Sequence, residues 1–126
     1  IVIDTHIWLW YINNRDDLSK IALDTINRAK EKSAVFISCI STWEIFMLVS
    51  KGRLSLTIPV ETWISKCEKL SFLHFIPVDN DISRLAVNLK EPLYDDPADR
   101  IIIATAISKG FSLVTKDKKL QNYLHI

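Results

Sequence analysis

"IVIDTHIWLW", residues Ile1–Trp10, opens the chain with an apolar run that ends in an acid and passes at once into a second apolar run. Ile1 to Asp4 is too short and too uniformly apolar for a helical stripe and reads as a buried strand. A strand that alternates would have one face in water; a solid apolar run belongs to a parallel sheet covered on both faces. From Thr5 to Ile12 the chain reads as a helix.

The same alternation continues along the chain. "AVFIS" (Ala34–Ser38) is a second solid strand, "FLHFIPV" (Phe72–Val78) holds a third, and "SLVT" (Ser112–Thr115) is a fourth. Between them the spacing predicts a helix over Asp16–Lys32, with Leu18, Ile21, Ala22, Thr25, Ile26 and Ala29 on its apolar face. Ser41 opens a helix that runs to Lys51 and stops at Gly52, and Pro59 opens another over Val60–Leu70. A short helix is expected over Ile82–Leu89, a longer one over Asp96–Lys109 closed by Gly110, and a last one over Asp117–Tyr123. Strands alternating with helices predict an α/β domain on a mostly parallel sheet. A length of 126 residues without linker or repeat predicts one domain, 1–126. The closing "LHI" (Leu124–Ile126) reads as a fifth strand cut short, and the chain opens without an initiator methionine.

Composition narrows the function classes. Lys and Arg total 16 against 15 acids, a net charge of +1, so no global field argues for nucleic acid. No apolar run approaches a membrane span and no signal peptide opens the chain, which predicts no membrane association. Cys39 and Cys67 are isolated in apolar segments, which predicts reduced thiols and a cytoplasmic location.

The acids are placed unusually. Asp4 ends the first strand, Glu44 lies in the first turn of the helix after the second, and Asp117 follows the fourth. In an open parallel sheet, ligands bind outside the carboxyl ends of the strands, so these three share one edge. Asp99, near the start of the "IIIATA" helix, joins them only if that helix begins at the same edge. Each acid also has a plain structural account. Ser41-Thr42-Trp43-Glu44 has the form of a capping box; Asp96 caps a helix with Pro97 at its first position; Asp4 or Thr5 and Asp117 can cap the others. Capping explains acids at helix starts but does not require them to converge. Carboxylates crowded together repel unless a cation lies among them, and an oxygen-only set without His or Cys suits Mg²⁺ or Mn²⁺. Such a site can activate water and neutralise a phosphodiester.

Four segments then carry a family resemblance: "IVIDTHIWLW", "STWEI" (Ser41–Ile45), "DPADRIIIATA" (Asp96–Ala106) and "LVTKD" (Leu113–Asp117). In this order and at these intervals, the chain closely resembles the PIN-domain nucleases and, among them, the VapC-type toxins of bacterial toxin–antitoxin pairs. The resemblance covers essentially the whole chain. It implies a three-layer α/β/α sandwich on a sheet of four to five strands, with the first and fourth adjacent. It also implies RNA cleavage with Mg²⁺ or Mn²⁺, a homodimer, and a cognate antitoxin protein as partner. Asp4, Glu44, Asp99 and Asp117 become the metal-binding and catalytic quartet, with Asp4 and Asp99 as direct ligands and Glu44 acting on the attacking water. Asp96 becomes an accessory acid. Thr5 and Thr115 become hydroxyls that orient the carboxylates.

Other residues are weighed more lightly. Arg100 can meet an RNA phosphate or pair with Asp96, the latter being preferred, and Lys116, Lys118 and Lys119 around Asp117 can steer an RNA backbone. His74 reads as a core or edge histidine, and His6 is near the site without being needed by it. Trp8, Trp10, Trp43, Phe46 and Met47 read first as core, with a dimer or antitoxin groove as the alternative. The helix from Ile101 is apolar nearly all round, which predicts that a second helix or a second subunit covers it. Two other function classes compete: an aspartate-based receiver or phosphatase, which uses neither Glu44 nor Asp99, and a non-catalytic RNA-binding module.

Overall fold

The structure, a computed structural model, describes residues 1–90 and 96–117. Within them the strands are β1 (Val2–Ile3), β2 (Val35–Ser38), β3 (Leu73–Ile76) and β4 (Leu113–Val114). The helices are α1 (Thr5–Asn13), α2 (Lys20–Glu31), α3 (Cys39–Ser50), α4 (Val60–Glu68), α5 (Asn80–Val87) and α6 (Pro97–Lys109). The sheet runs β3-β2-β1-β4 with every pair parallel, so β1 is central and β4 is its neighbour. The expected helix over Asp117–Tyr123 and the cut-short strand at Leu124 fall almost wholly outside the described residues.

Solid apolar strands are explained by a core on both faces. Ile3, Val35, Ile37 and Leu73 pack with α1, α2 and α4, while Val2, Phe36 and Ile76 pack in the clusters that α5 and α6 complete. Neighbours in sequence thus enter opposite layers, as the period of two in a strand requires. This is the α/β/α sandwich expected.

Three helix starts differ from the sequence reading. The helix expected from Asp16 begins at Lys20, because Leu18 and Ser19 are extended and the Ser19 hydroxyl caps Ala22 N–H at 3.1 Å. A separate 3₁₀ turn holds Arg15–Asp17. Ile21, placed on the apolar face by spacing, is 80 % exposed. The helix expected from Ser41 begins at Cys39, directly off β2, with Ser38 as its cap. The capping box of Ser41 and Glu44 therefore does not exist, and both residues lie inside the helix. Finally, α5 starts earlier than expected, because the Asp79 carboxylate accepts from Ile82 N–H at 2.8 Å.

Helix α6 matches its expected limits. Asp96 caps it through Ala98 N–H at 2.8 Å, Pro97 takes the first position, and Gly110 closes it at φ 70°. Ile102, Ile103, Ala104 and Ala106 are all buried, against β1, β2, α5 and α3 of the same chain. Burying one isoleucine contributes about 1.5–3 kcal/mol, so Ile102 and Ile103 anchor α6 with its acids at the mouth. The covering is intramolecular, so the apolar girth of α6 no longer calls for a second subunit.

Candidate active site

Asp4 leaves the end of β1 and enters α1 as its cap. Its Oδ1 accepts from Ile7 N–H at 2.9 Å, and its Oδ2 accepts from the Thr115 hydroxyl just past β4. Thr115 Oγ1 also accepts from the Asp117 N–H at 3.1 Å. One hydroxyl thus joins the first and last acids across adjacent parallel strands. Asp4 is 8 % exposed, and burial pushes its carboxyl above the usual carboxylate range against the pull of Thr115, Ile7 N–H, His6 and Lys116.

Glu44 arrives from α3. Thr5 Oγ1 lies 2.5 Å from Glu44 Oε1 and 2.8 Å from the buried Ser41 Oγ. Thr5 has one proton to give. Given to the carboxylate, it leaves Ser41 to donate to Thr5, and the relay Ser41–Thr5–Glu44 pins the glutamate. Burial, then Asp96 and Asp4, raise the Glu44 carboxyl, while the Thr5 bond lowers it.

Asp99 completes the group from α6. A helix that leads into a parallel strand must begin at the edge where the strands end, and α6 leads directly into β4. Asp4, Glu44, Asp99 and Asp117 therefore line one pocket of about 180 Å³, with Asp96 at its side and Ile102 as its apolar floor. Burial raises Asp99 most, followed by the charges of Asp96, Glu44, Asp117 and Asp4, and its carboxyl is pushed up to about 7.

Among the described residues, no three His, Cys, Asp or Glu side chains are grouped as a ready cage for a metal ion. The donor set nevertheless fits Mg²⁺, which keeps several of its waters and takes only one or two carboxylates directly. The pocket has room well beyond a single ordered water. Burial first, and the neighbouring carboxylates second, disfavour the charged form of Asp99, and a cation in the pocket would relieve the second of these.

Most of the predicted site residues converge. Asp4, Thr5, Glu44, Asp96, Asp99, Lys116 and Asp117 line the pocket, and Thr115 lies just behind Asp4. Arg100 does not line it. Its guanidinium donates to the carbonyls of Ala86, Val87 and Leu89 at 3.0, 3.3 and 3.0 Å, where a pair with Asp96 was expected. It ties α6 to the end of α5. Lys118 and Lys119 lie outside the described residues. His6, set aside in the sequence, lines the pocket with an exposed ring. Its place two residues after the strand-end acid was the available signal, since the first turn of a helix leaving a strand faces the same crevice. His74 is an edge histidine, bonded to the Ser33 carbonyl oxygen at 2.7 Å and packed on Phe36. The tryptophans divide: Trp8 is fully buried, Trp10 half-buried, and Trp43 is 56 % exposed beside Phe46.

A parallel sheet with a carboxylate-lined crevice at its carboxyl edge defines an α/β domain of the kind whose ligands bind at the strand ends. The chain belongs to the PIN domain family, whose model matches residues 1–124. It is 32 % identical over 125 residues to Ribonuclease VapC22 of Mycobacterium tuberculosis (strain ATCC 25618 / H37Rv), with 99 % of this chain and 92 % of that protein covered. A solved toxin–antitoxin complex from Klebsiella pneumoniae shares the fold with a TM-score of 0.62 at 20 % identity, over 99 % of this chain and 91 % of that one. The receiver or phosphatase reading leaves Glu44 and Asp99 unused, and the family assignment removes it.

Proposed function

We propose that this protein is a metal-dependent endoribonuclease and the toxin of a toxin–antitoxin pair. One observation carries the reading: acids from β1, α3, α6 and the end of β4 converge on one pocket, where Asp99 is raised to about 7. Family membership and the ribonuclease relative supply RNA as the substrate class.

Asp4 and Asp99 would hold the ion directly, and Asp117 and Asp96 would reach its waters. When bound, Mg²⁺ or Mn²⁺ neutralises the phosphodiester and acidifies water. Glu44, raised by burial, takes the proton of the attacking water as the water oxygen bonds to phosphorus and the bond to the leaving sugar oxygen breaks. Thr5 and Ser41 hold Glu44 in place for that transfer, and Thr115 holds Asp4. Lys116, at the pocket wall, takes a phosphate oxygen of the RNA.

A cytoplasmic RNA-cutting toxin needs a silencing partner. An apolar groove lined by Ile40, Trp43, Met47, Pro97 and Ala98 adjoins the acidic pocket, sharing Glu44 and Asp96 with it, and suits an antitoxin segment that ends at the carboxylates. The homodimer remains part of this reading through the family and the exposed Trp43 and Phe46 rather than through α6. Both thiols are free, and no helix among the described residues is long and apolar enough to cross a membrane.

Single-stranded RNA incubated with Mg²⁺, with EDTA, and with the Asp99→Asn variant tests the proposal. Cleavage only by wild type with metal is expected. Equal cleavage in EDTA, or none by wild type with either ion, overturns it.

A further inference from the structure

A phosphodiester entering a pocket of five carboxylates meets repulsion before it meets any ion. Among the described residues Lys116 is the one lysine or arginine that lines this pocket. Lysine is a long, freely rotating side chain, so a useful ammonium at a pocket wall needs something to hold it. Trp10 supplies that. The Lys116 ammonium lies 4.9 Å from the centroid of the Trp10 ring, within the range where an aromatic face attracts a cation. Trp10 is itself braced. It packs on the main core from α1, and the His6 ring, one helical turn earlier, lies 6.1 Å from it at 58°. His6 lines the acidic pocket, so the seat and the site share a wall.

We propose that Trp10 is a positioning residue that seats the Lys116 ammonium on the wall of the acidic pocket, where it holds a phosphate of single-stranded RNA next to the one being cut. This rests on the nuclease reading above and adds to it the residue that makes the lysine effective. The geometry has a definite consequence. Lys116 has its full effect only when the indole is present, so removing either residue removes the same interaction.

The experiment combines cleavage kinetics in Mg²⁺ with binding of a short single-stranded RNA in EDTA over a series of salt concentrations. Lys116→Ala is expected to weaken binding and raise KM about 10-fold, with kcat within about 2-fold, and to reduce the salt slope by about 0.7, the value for one phosphate contact on a single strand. Trp10→Leu is expected to match it. The double variant is expected to be no worse than either single one, as for residues acting through one interaction. Trp10→Phe keeps an aromatic face and is expected to restore most of the affinity, which also guards against a folding defect in the leucine variant. Losses that multiply in the double variant overturn the proposal, as does wild-type affinity in Trp10→Leu or a fall confined to kcat. If wild type cleaves no RNA at all, the nuclease reading fails. If it cleaves and the variants bind as wild type does, only the seat fails.

Discussion

The Thr115 hydroxyl donates to Asp4 Oδ2 and accepts from the Asp117 N–H, so two acids 113 positions apart in sequence are held by one oxygen. Residues at the ends of β1 and β4 meet because those strands are paired, Ile3 to Val114. The other oxygen of Asp4 caps α1. Capping and site-building are therefore two uses of one carboxylate.

Thr115→Val keeps the shape and removes both bonds. It is expected to slow RNA cleavage by about 10–100-fold, the range seen when a group orienting a metal ligand is lost. The buried Asp4 oxygen left without its donor is expected to lower stability by about 1–3 kcal/mol. Thr115→Ser should recover most of both. Kinetics and urea unfolding on the two variants decide it, and wild-type cleavage by the valine variant would deny Thr115 its role.

Asp96 and Asp99 separate capping from catalysis. Asn caps about as well as Asp, so Asp96→Asn is expected to melt within about 0.5 kcal/mol of wild type. Asp99→Asn keeps size and loses the charge that a hard cation needs. Cleavage is expected to fall at least about 100-fold, the scale for losing a principal electrostatic contact. At neutral pH the folded protein is expected to gain about 1 kcal/mol from relieved repulsion, well under the full conversion of the shift because the pocket is open to water. Near-wild-type cleavage by Asp99→Asn would remove the central residue of the mechanism.

The same acid sets a pH dependence. Folding raises Asp99 from 3.8 to about 7, so between those values the native state holds a proton that the unfolded chain has released. Stability is then highest below the window and falls as pH rises through it. In EDTA the melting temperature is expected to fall between about pH 5 and pH 8, and the fall should be smaller in Asp99→Asn. Mg²⁺ or Mn²⁺ replaces the proton, so its stabilising shift is expected to grow over the same range. A metal-free melting curve that rises equally with pH in both proteins would contradict this.

Arg100 is expected to be structural. Its three bonds to the carbonyls of Ala86, Val87 and Leu89 tie α6 to the end of α5. Arg100→Ala is expected to cost about 1.5–3 kcal/mol, the value for hydrogen bonds from a charged group, while RNA affinity in EDTA stays at wild type. A loss of RNA affinity at unchanged stability would return Arg100 to the substrate side.

The sequence by itself determined the sheet and the acids. Solid apolar runs such as "AVFIS" fit one fate best, a strand covered on both faces; Asp4 follows such a run directly, and Asp117 lies two residues past "SLVT". Gly110 and Asp96 marked the ends of α6 because φ > 0 and an unpaired first turn are local needs, visible in local residues. What the tertiary structure decided is which edge acids line one pocket. Asp79 follows β3 at the same edge and is only a cap, because β3 is two strands from β1; Asp4 is both cap and ligand candidate because β1 is central, beside β4. Glu44 lines the pocket with the other acids, but not from the start of its helix. The capping box is absent, and Glu44 reaches the pocket from inside α3 through Thr5, a partner 39 residues away. The seat of Lys116 on Trp10 and the bonds of Arg100 were equally invisible, since a long side chain has many reachable partners and only the packing of α1 on β1, and of α5 on α6, selects among them.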